Sequence, residues 1–266
     1  MYSFDYVKAQ SLQQATDLLA EHPDARPLSG GMTLIPTLKA RLAQPTHLVD
    51  IGGLQELRGI EVKGDALVIG AAMRHAEVAA STVVAKAIPP LASLAAGIGD
   101  PQVRNLSTMG GSVANNDPAA DYPSAVLGLA ARVVTTMRTI AADDFFQGMF
   151  TTALEAGELI TRIEFPLPRR AAYQKFPHPA SGYAMAGVFV AETAGGWRVA
   201  VTGAGPGVFR WSEAEAALAK GLKHGILDAL AVAPDELNED MHGSREYRAQ
   251  LVKVMAQRAV AQLIGG

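Results

Sequence analysis

Apolar side chains recur at helical spacing near the start of the chain, in the segment LQQATDLL at residues 12–19. Separations of three and four residues place its leucines and its alanine on one face of a helix. Ser11 and Gln14 form an S-x-x-Q pair, which is the pattern of a capped helix start. The pattern therefore predicts a helix that begins directly after Ser11.

Most other apolar runs are short and bounded by glycine or polar residues, which is typical of strands. The predicted strands are residues 46–51, 59–62, 66–71, 131–136, 158–165, 183–191 and 197–201. Helices are predicted at residues 75–80, 91–96 and 123–129, and three more after residue 202. Of these three, the first has a Ser212/Glu215 capping box and ends at Gly221, and the last covers residues 244–263.

Two adjacent glycines, Gly30 and Gly31, separate an apolar segment from leucines that recur at four-residue spacing over residues 34–42. Because glycine has no Cβ, the backbone here can adopt φ > 0 and bring its N–H groups close to a ligand. Thr33 is in position to cap the helix that the leucines predict. The pattern favours a phosphate at this junction, and an ordinary turn is the alternative.

A second glycine pair, Gly110 and Gly111, is followed by small polar residues and by Asp117 and Asp121. Two such loops suit a dinucleotide, since each could bind part of a pyrophosphate while a carboxylate accepts hydrogen bonds from sugar hydroxyls. Neither loop reads G-x-G-x-x-G, so a Rossmann-type nicotinamide site is not indicated. The glycine-rich segment at residues 202–210 is interpreted as a turn, because proline and valine interrupt the fingerprint.

Composition narrows the classes of protein that fit. The chain has 266 residues, 49% of them hydrophobic, which is enough for two or three compact subdomains. A net charge of −3 without a basic run argues against nucleic acid as a partner. No secretory signal or membrane span is evident, so we expect a cytoplasmic protein. The chain has no cysteine, which excludes an internal iron–sulfur cluster, and its histidines do not show metal-ligand spacing.

Four segments together resemble a known family. They are LSGGMTLIPTLKARLAQP, GAAMRHAEVAAS, GIGDPQVRNLSTMGGSVANNDPAADYPSAVLGL and GELITRIEFPLP, in this order along the chain. They look like the FAD-binding medium subunit of molybdenum hydroxylases, of the carbon monoxide dehydrogenase type within the xanthine dehydrogenase family. The resemblance covers essentially the whole chain.

The resemblance implies an α+β fold. Two small α/β subdomains, residues 1–55 and 56–170, would form a vanillyl-alcohol-oxidase-type (PCMH-like) FAD-binding domain. A C-terminal α/β domain, residues 171–266, would follow.

The resemblance also implies FAD-binding residues in the two glycine loops. The family's A-G-G-x-S loop corresponds to Ser29, Gly30, Gly31, Met32 and Thr33, and its T-I-G-G-N loop to Thr108, Met109, Gly110, Gly111 and Ser112. Serine here replaces alanine in the first loop, and serine replaces asparagine in the second. From the residues alone, Asp121 is equally well explained as a helix cap; the family match favours it as a ligand of the flavin's ribityl or phosphate region.

Three further positions follow from the same match. Leu159 and Ile160 correspond to the segment that runs along the flavin ring, although an ordinary buried strand explains them equally well. Lys175 corresponds to a lysine that lies toward the flavin. The family's G-D-[YF]-A motif is replaced by residues 181–184, SGYA, so its acidic residue is absent here.

By resemblance, the chain carries no catalytic residue of its own. A large partner with molybdopterin would oxidise the substrate, a small partner with two-iron, two-sulfur clusters would relay electrons, and the FAD of this chain would pass them to an external acceptor. We expect a dimer of such heterotrimers. The alternative is a self-sufficient FAD-dependent oxidase or dehydrogenase.

Overall fold

In the computed structural model, which describes residues 1–265, the strands form three larger sheets and one two-stranded sheet. These three sheets lie within the three predicted units, except that the third sheet already begins at Arg170. The last residue of the third unit, Gly266, lies outside the described residues. The division into domains stays a prediction.

The first sheet is parallel and follows the order β1–β3–β2, with β1 at Asp5–Lys8, β2 at Arg26–Leu28 and β3 at His47–Asp50. The predicted helix, α1, covers Leu12–Glu21. The Ser11 hydroxyl accepts a hydrogen bond from the Gln14 amide at 3.1 Å, which confirms the predicted cap.

The helix after the first glycine pair is shorter than the leucine spacing predicts. This helix, α2, covers Leu34–Lys39, and Arg41 then takes a left-handed conformation with φ 58°. Leu42 is 78% exposed, so it does not continue the buried face. The Thr33 hydroxyl makes no cap bond. The four-residue spacing was misleading because its last leucine lies beyond the helix end.

The middle of the chain forms a five-stranded antiparallel sheet and a short hairpin. The strands are β4 (Ile60–Lys63), β5 (Ala66–Gly70), β6 (Arg132–Thr135), β7 (Thr139–Ala141), β8 (Phe146–Gly148), β9 (Thr151–Thr152) and β10 (Ile160–Pro166). The large sheet has the order β4–β5–β10–β6–β7, and β8 pairs with β9.

Seven helices in the described chain lie within this middle part. They are α3 (His75–Ala80), α4 (Thr82–Ala87), α5 (Pro89–Ala96), α6 (Pro101–Leu106), α7 (Met109–Asn115), α8 (Tyr122–Gly128) and α9 (Ala142–Phe145). The predicted hairpin and the three predicted helices of this part are present: α3 has the predicted ends, and the other ends differ by at most two residues.

The third sheet is antiparallel. Its strands follow chain order and are β11 (Arg170–Pro177), β12 (Ala184–Thr193), β13 (Gly196–Thr202) and β14 (Phe209–Arg210). The sequence pattern did not predict β11, which pairs along its whole length with β12. Its residues are mixed in polarity, so neither face stands out in the sequence.

Two helices follow β14 in the described residues, not the three that were predicted: α10 at Ser212–Leu218 and α11 at Arg245–Gly265. The predicted capping box is wrong, because Trp211 is the N-cap residue and makes no side-chain cap. The Glu215 carboxylate instead accepts from the Val199 amide at 3.0 Å and pairs with Arg210. A tertiary contact therefore uses the side chain that the local pattern assigned to the helix start.

Strand β12 contributes to two apolar cores because its side chains alternate between the faces of the sheet. Phe189 and Ala191 pack into the core of the five-stranded sheet, while Val188 and Val190 pack into the core that contains α11 residues. The third sheet is thus joined to the middle part of the chain through α8 and α5. Within residues 1–265, no helix is long and apolar enough to cross a membrane.

Candidate functional site

A cavity of about 450 Å³ is lined by residues from all three parts of the chain. It contains all of the predicted site residues except Lys175. The predicted residues that line it are Ser29, Gly30, Gly31, Met32, Thr33, Thr108, Gly110, Gly111, Ser112, Asp121, Leu159 and Ile160. The structure thus brings together residues that lie up to 131 positions apart in the sequence, as Ser29 and Ile160 do.

The first glycine loop, residues 29–33, offers free backbone donors on the cavity wall. Within residues 1–265, the five consecutive N–H groups of this loop donate to no protein acceptor. Gly31 has φ 71°, a left-handed conformation that glycine adopts without strain. Successive backbone N–H groups around such a residue form a concavity that binds anions.

Gly30 has a second reason to be glycine, which the sequence did not reveal. A Cβ at this position would lie 2.1 Å from the backbone oxygen of Leu106, at the end of α6. The absence of a side chain at Gly30 therefore lets the first loop pack directly against the segment that leads into the second loop. We expected the close approach to be to a ligand, but at this glycine it is to the protein backbone.

The second glycine loop, residues 109–112, uses its N–H groups inside the protein. The Gly110 amide donates to the Ala71 carbonyl at 2.9 Å, and the Met109 amide donates to the Met73 carbonyl at 2.9 Å. The Gly111 amide donates to the Thr108 hydroxyl at 3.2 Å, because Thr108 caps α7. The Gly110 amide is therefore engaged by the protein, and the predicted contact of Gly110 with a pyrophosphate stays a prediction.

Gly110 is required here by packing. A Cβ on Gly110 would lie 2.5 Å from the Cβ of Ala71, which follows β5. The two loops nevertheless touch, since Ser29 Oγ and Thr108 Oγ1 lie 2.9 Å apart. Serine in place of the family's alanine thus provides a hydrogen bond between the loops.

Asp121 is buried and bound by two side chains of β11. It is 1% exposed, and its carboxylate accepts a hydrogen bond from the Tyr173 hydroxyl and pairs with Lys175 Nζ at 3.0 Å. Burial raises the pKa of the Asp121 carboxyl, while the nearby Lys175 charge and the Tyr173 hydroxyl oppose that shift. Asp121 lines the cavity, but its oxygens are already engaged by protein groups.

Lys175 is not among the residues that line the cavity, and its predicted place toward the flavin stays a prediction. Its ammonium donates to the carbonyl oxygens of Gly97 at 2.7 Å and Gly182 at 3.0 Å, in addition to its pairing with Asp121. Three acceptors thus surround the group, and it is not part of the cavity wall described by residues 1–265. The Lys175 ammonium is therefore paired with Asp121, which lines the cavity, but is not itself among the lining residues.

The segment that precedes Asp121 is held by the third sheet. The Gly203 amide donates to the Pro118 carbonyl at 2.8 Å, and the Thr202 hydroxyl donates to the Ala120 carbonyl at 2.6 Å. The Ala184 amide adds a bond of 3.3 Å to the Ala119 carbonyl. The C-terminal part of the chain therefore fixes one side of the cavity.

Leu159 and Ile160 are buried, as the strand interpretation predicts, and their contact with the flavin ring stays a prediction. Both are buried, Leu159 in the apolar cluster of the first sheet and Ile160 in that of the five-stranded sheet. Both also line the cavity. They provide an apolar wall at the junction of two cores.

Other lining residues were not predicted as site residues. Tyr183, Asp117 and Glu158 are among them, and so is His75. The histidines were considered only for metal binding, and His75 stands in an alanine-rich segment that predicts an ordinary helix. Nothing in that local pattern indicates a residue facing a cavity. Within the described chain, no group of acidic or histidine side chains is arranged to hold a metal ion.

Comparison with known proteins identifies the family. Residues 2–168 match the model of the FAD binding domain in molybdopterin dehydrogenase. The chain belongs to this family. It is 37% identical to the carbon monoxide dehydrogenase medium chain of Afipia carboxidovorans over 275 residues, which cover 97% of this chain and 96% of that protein.

Two further matches cover nearly the full length. The chain is 34% identical to the glyceraldehyde dehydrogenase medium chain of Sulfolobus acidocaldarius, covering 98% of both proteins. It superposes with a TM-score of 0.90 on a chain of reconstituted CO dehydrogenase from Oligotropha carboxidovorans, at 35% identity over 98% of this chain and 97% of that chain. These matches confirm the predicted family, fold class and FAD cofactor, and the chain is an FAD-binding oxidoreductase subunit.

The residues present fit the cofactor. The free N–H groups of the first loop suit the two negative charges of a pyrophosphate, and the wall at Leu159 and Ile160 suits an apolar ring system. The space beside Gly30 is filled by the backbone of Leu106, and the space beside Gly110 is filled by Ala71.

Proposed function

We propose that this subunit holds FAD in the cavity with the pyrophosphate against residues 29–33 and the flavin ring toward Leu159 and Ile160. The observation that carries the proposal is the run of free N–H groups on the cavity wall. The Ser29–Thr108 hydrogen bond holds the two loops at a fixed separation. Asp121 is part of the cavity wall, and its ion pair with Lys175 keeps that part of the wall in place.

The redox role follows from the properties of flavin, which takes up electrons singly and delivers them in pairs. The chain has no cysteine and so holds no iron–sulfur cluster. Electrons therefore reach this subunit from another chain. We propose a small partner with two-iron, two-sulfur clusters, a large partner with molybdopterin that oxidises the substrate, and an external electron acceptor. The matched relatives support this, since they are named medium chains of dehydrogenases.

Two finer expectations stay predictions. They are the assembly into a dimer of heterotrimers and the cytoplasmic location. Residues 181–184 lack the acidic residue of the family motif.

The pyrophosphate placement is tested by comparing flavins on the purified apo chain. FAD should bind at least about 100-fold more tightly than riboflavin, since charge-assisted hydrogen bonds contribute about 1.5–3 kcal/mol each. ADP should compete with FAD. Equal affinities for FAD and riboflavin, measured by calorimetry, would contradict the assignment of the first loop.

Reconstitution distinguishes this function from a self-sufficient oxidase or dehydrogenase. The isolated FAD-loaded chain, reduced by dithionite, should pass electrons to an artificial acceptor. Reduction by an organic substrate should require both partners. If a substrate such as an aldehyde reduces the lone chain, the electron-transfer role is refuted.

A further inference from the structure

Within the described residues, the imidazole of His75 is buried on the cavity wall and has no hydrogen-bond partner. It is 2% exposed, and its Nδ1 is enclosed with no partner. Within residues 1–265, its Nε2 also makes no hydrogen bond to protein. Leaving such a group unpaired costs about 1–3 kcal/mol, so its presence calls for a compensating contact.

The backbone fixes this side chain next to the two loops. The His75 amide donates to the Ser107 carbonyl at 3.1 Å, and Arg74 forms a bridge with Thr108. Two backbone hydrogen bonds continue this pairing of the two segments, one from Met109 to Met73 and one from Gly110 to Ala71. His75 therefore occupies a defined place beside Thr108, which contacts Ser29 of the first loop.

The electrostatic surroundings keep the ring neutral. Burial first, and then the positive charge of Arg104, lower the pKa of His75 to about 4. The Tyr122 ring meets the imidazole edge-on at 5.2 Å between centroids, and its hydroxyl is also buried without a partner. A neutral imidazole carries one N–H, and placing it on Nε2 leaves only a lone pair at the enclosed Nδ1.

We propose that His75 is a further FAD-binding residue, whose Nε2 donates a hydrogen bond to an oxygen of the chain that links the flavin ring to the adenosine. This inference rests on the proposed position of FAD between the two loops. It assigns a binding role to His75, which lies in a segment whose other contacts hold the second loop by backbone hydrogen bonds.

The test compares two His75 variants with one matched control. His75→Leu removes the unpaired polar atoms from an apolar site, so the apo chain should unfold at an equal or higher temperature. Its Kd for FAD should rise about tenfold, the equivalent of one hydrogen bond of about 1.4 kcal/mol. His75→Gln, which keeps a donor of similar reach, should recover most of the affinity.

Tyr122→Phe is the control, because it removes a neighbouring buried hydroxyl that is not on the cavity wall of the described residues. It should leave the Kd for FAD unchanged. If His75→Leu binds FAD as tightly as the natural chain, the inference is overturned while the proposed function stands. If the natural chain itself does not bind FAD, both are overturned.

A spectroscopic measurement covers the case in which the leucine variant does not fold. In the natural chain labelled with ¹⁵N-histidine, FAD should shift the His75 Nε2 resonance while riboflavin shifts it less. An unchanged His75 resonance at saturating FAD would contradict the proposed hydrogen bond.

Discussion

The two glycine loops look alike in the sequence and differ in what their backbone donors do. Residues 29–33 keep their N–H groups free on the cavity wall, whereas residues 109–112 donate to Ala71, Met73 and Thr108. The difference arises from the neighbours of each loop, since the second loop donates to the segment after β5, whereas within residues 1–265 the N–H groups of the first loop have no protein acceptor. A glycine pair thus indicates close approach, and the tertiary partner decides whether a ligand or the protein approaches.

The largest expected effect concerns the ion pair that follows the second loop. Asp121→Asn leaves the buried Lys175 without its counter-charge, so the free energy of unfolding should fall by about 3–5 kcal/mol. The additional change Lys175→Met should restore part of the lost free energy of unfolding. Asp117→Asn is the control, because Asp117 also lines the cavity but, within residues 1–265, its carboxylate accepts only a local bond from the Ala119 amide.

Chemical denaturation of the apo chain measures these changes. If Asp121→Asn lowers the affinity for FAD while the unfolding free energy is unchanged, Asp121 is a direct ligand. The second loop would then have a larger binding role than its geometry shows.

The next effect is a pH dependence at the segment that holds the second loop. The pKa of His75 is lowered to about 4 in the folded chain, from 6.5 in the unfolded one. The neutral ring therefore stabilises the fold fully above about pH 6.5, and about 3 kcal/mol is lost as the pH falls to about 4. His75→Leu should lack this part of the acid destabilisation in apo-chain unfolding curves. Identical pH profiles for both chains would contradict the burial of a neutral imidazole.

A smaller effect separates packing from binding at the second loop. Gly110→Ala adds a Cβ that meets Ala71, so the apo chain should lose about 1–3 kcal/mol of unfolding free energy. Gly53→Ala is the control, since the nearest atom to its added Cβ is Lys8 Cε at 3.6 Å. If Gly110→Ala leaves the apo chain stable and only weakens FAD binding, the N–H of Gly110 serves the ligand after all.

The smallest expected effect is at the contact between the loops. Ser29→Ala removes the hydrogen bond to Thr108 and should cost about 0.5–1.5 kcal/mol of unfolding free energy. Ser112→Ala, on the same cavity wall, is the matched control and should change stability less. Equal effects of the two variants, measured by thermal unfolding, would show that the serine bridge does not connect the loops in solution.

The local patterns predicted elements whose determinants are themselves local. Ser11 caps α1 as its spacing to Gln14 indicates, and the hairpin of β4 and β5 forms around its turn. The local pattern gave a wrong prediction where a tertiary contact determines which partner a side chain binds. Glu215 has the spacing of a capping box, but its carboxylate binds Val199 and Arg210 across the sheet.

In the candidate site, too, the sequence did not reveal the features that depend on tertiary contacts. The sequence resemblance identified residues that the fold brings to one cavity, because glycine and small polar residues mark the loops. Its placement of Lys175 toward the flavin stays a prediction, and it did not indicate that the carbonyl oxygens of Gly97 and Gly182 accept hydrogen bonds from the Lys175 ammonium. It omitted His75, whose burial depends on how α3 packs against Tyr122.

Hydrogen exchange of individual backbone amides, followed by NMR with and without FAD, tests the central claim most directly. In the apo chain, the amides of residues 109–112 should exchange slowly and those of residues 29–33 should exchange quickly, since within the part of the chain that the structure describes only the former donate to protein acceptors. FAD, and also ADP, should slow exchange at residues 29–33 and leave residues 109–112 nearly unchanged. Protection that FAD induces at residues 109–112 but not at residues 29–33 would contradict the account.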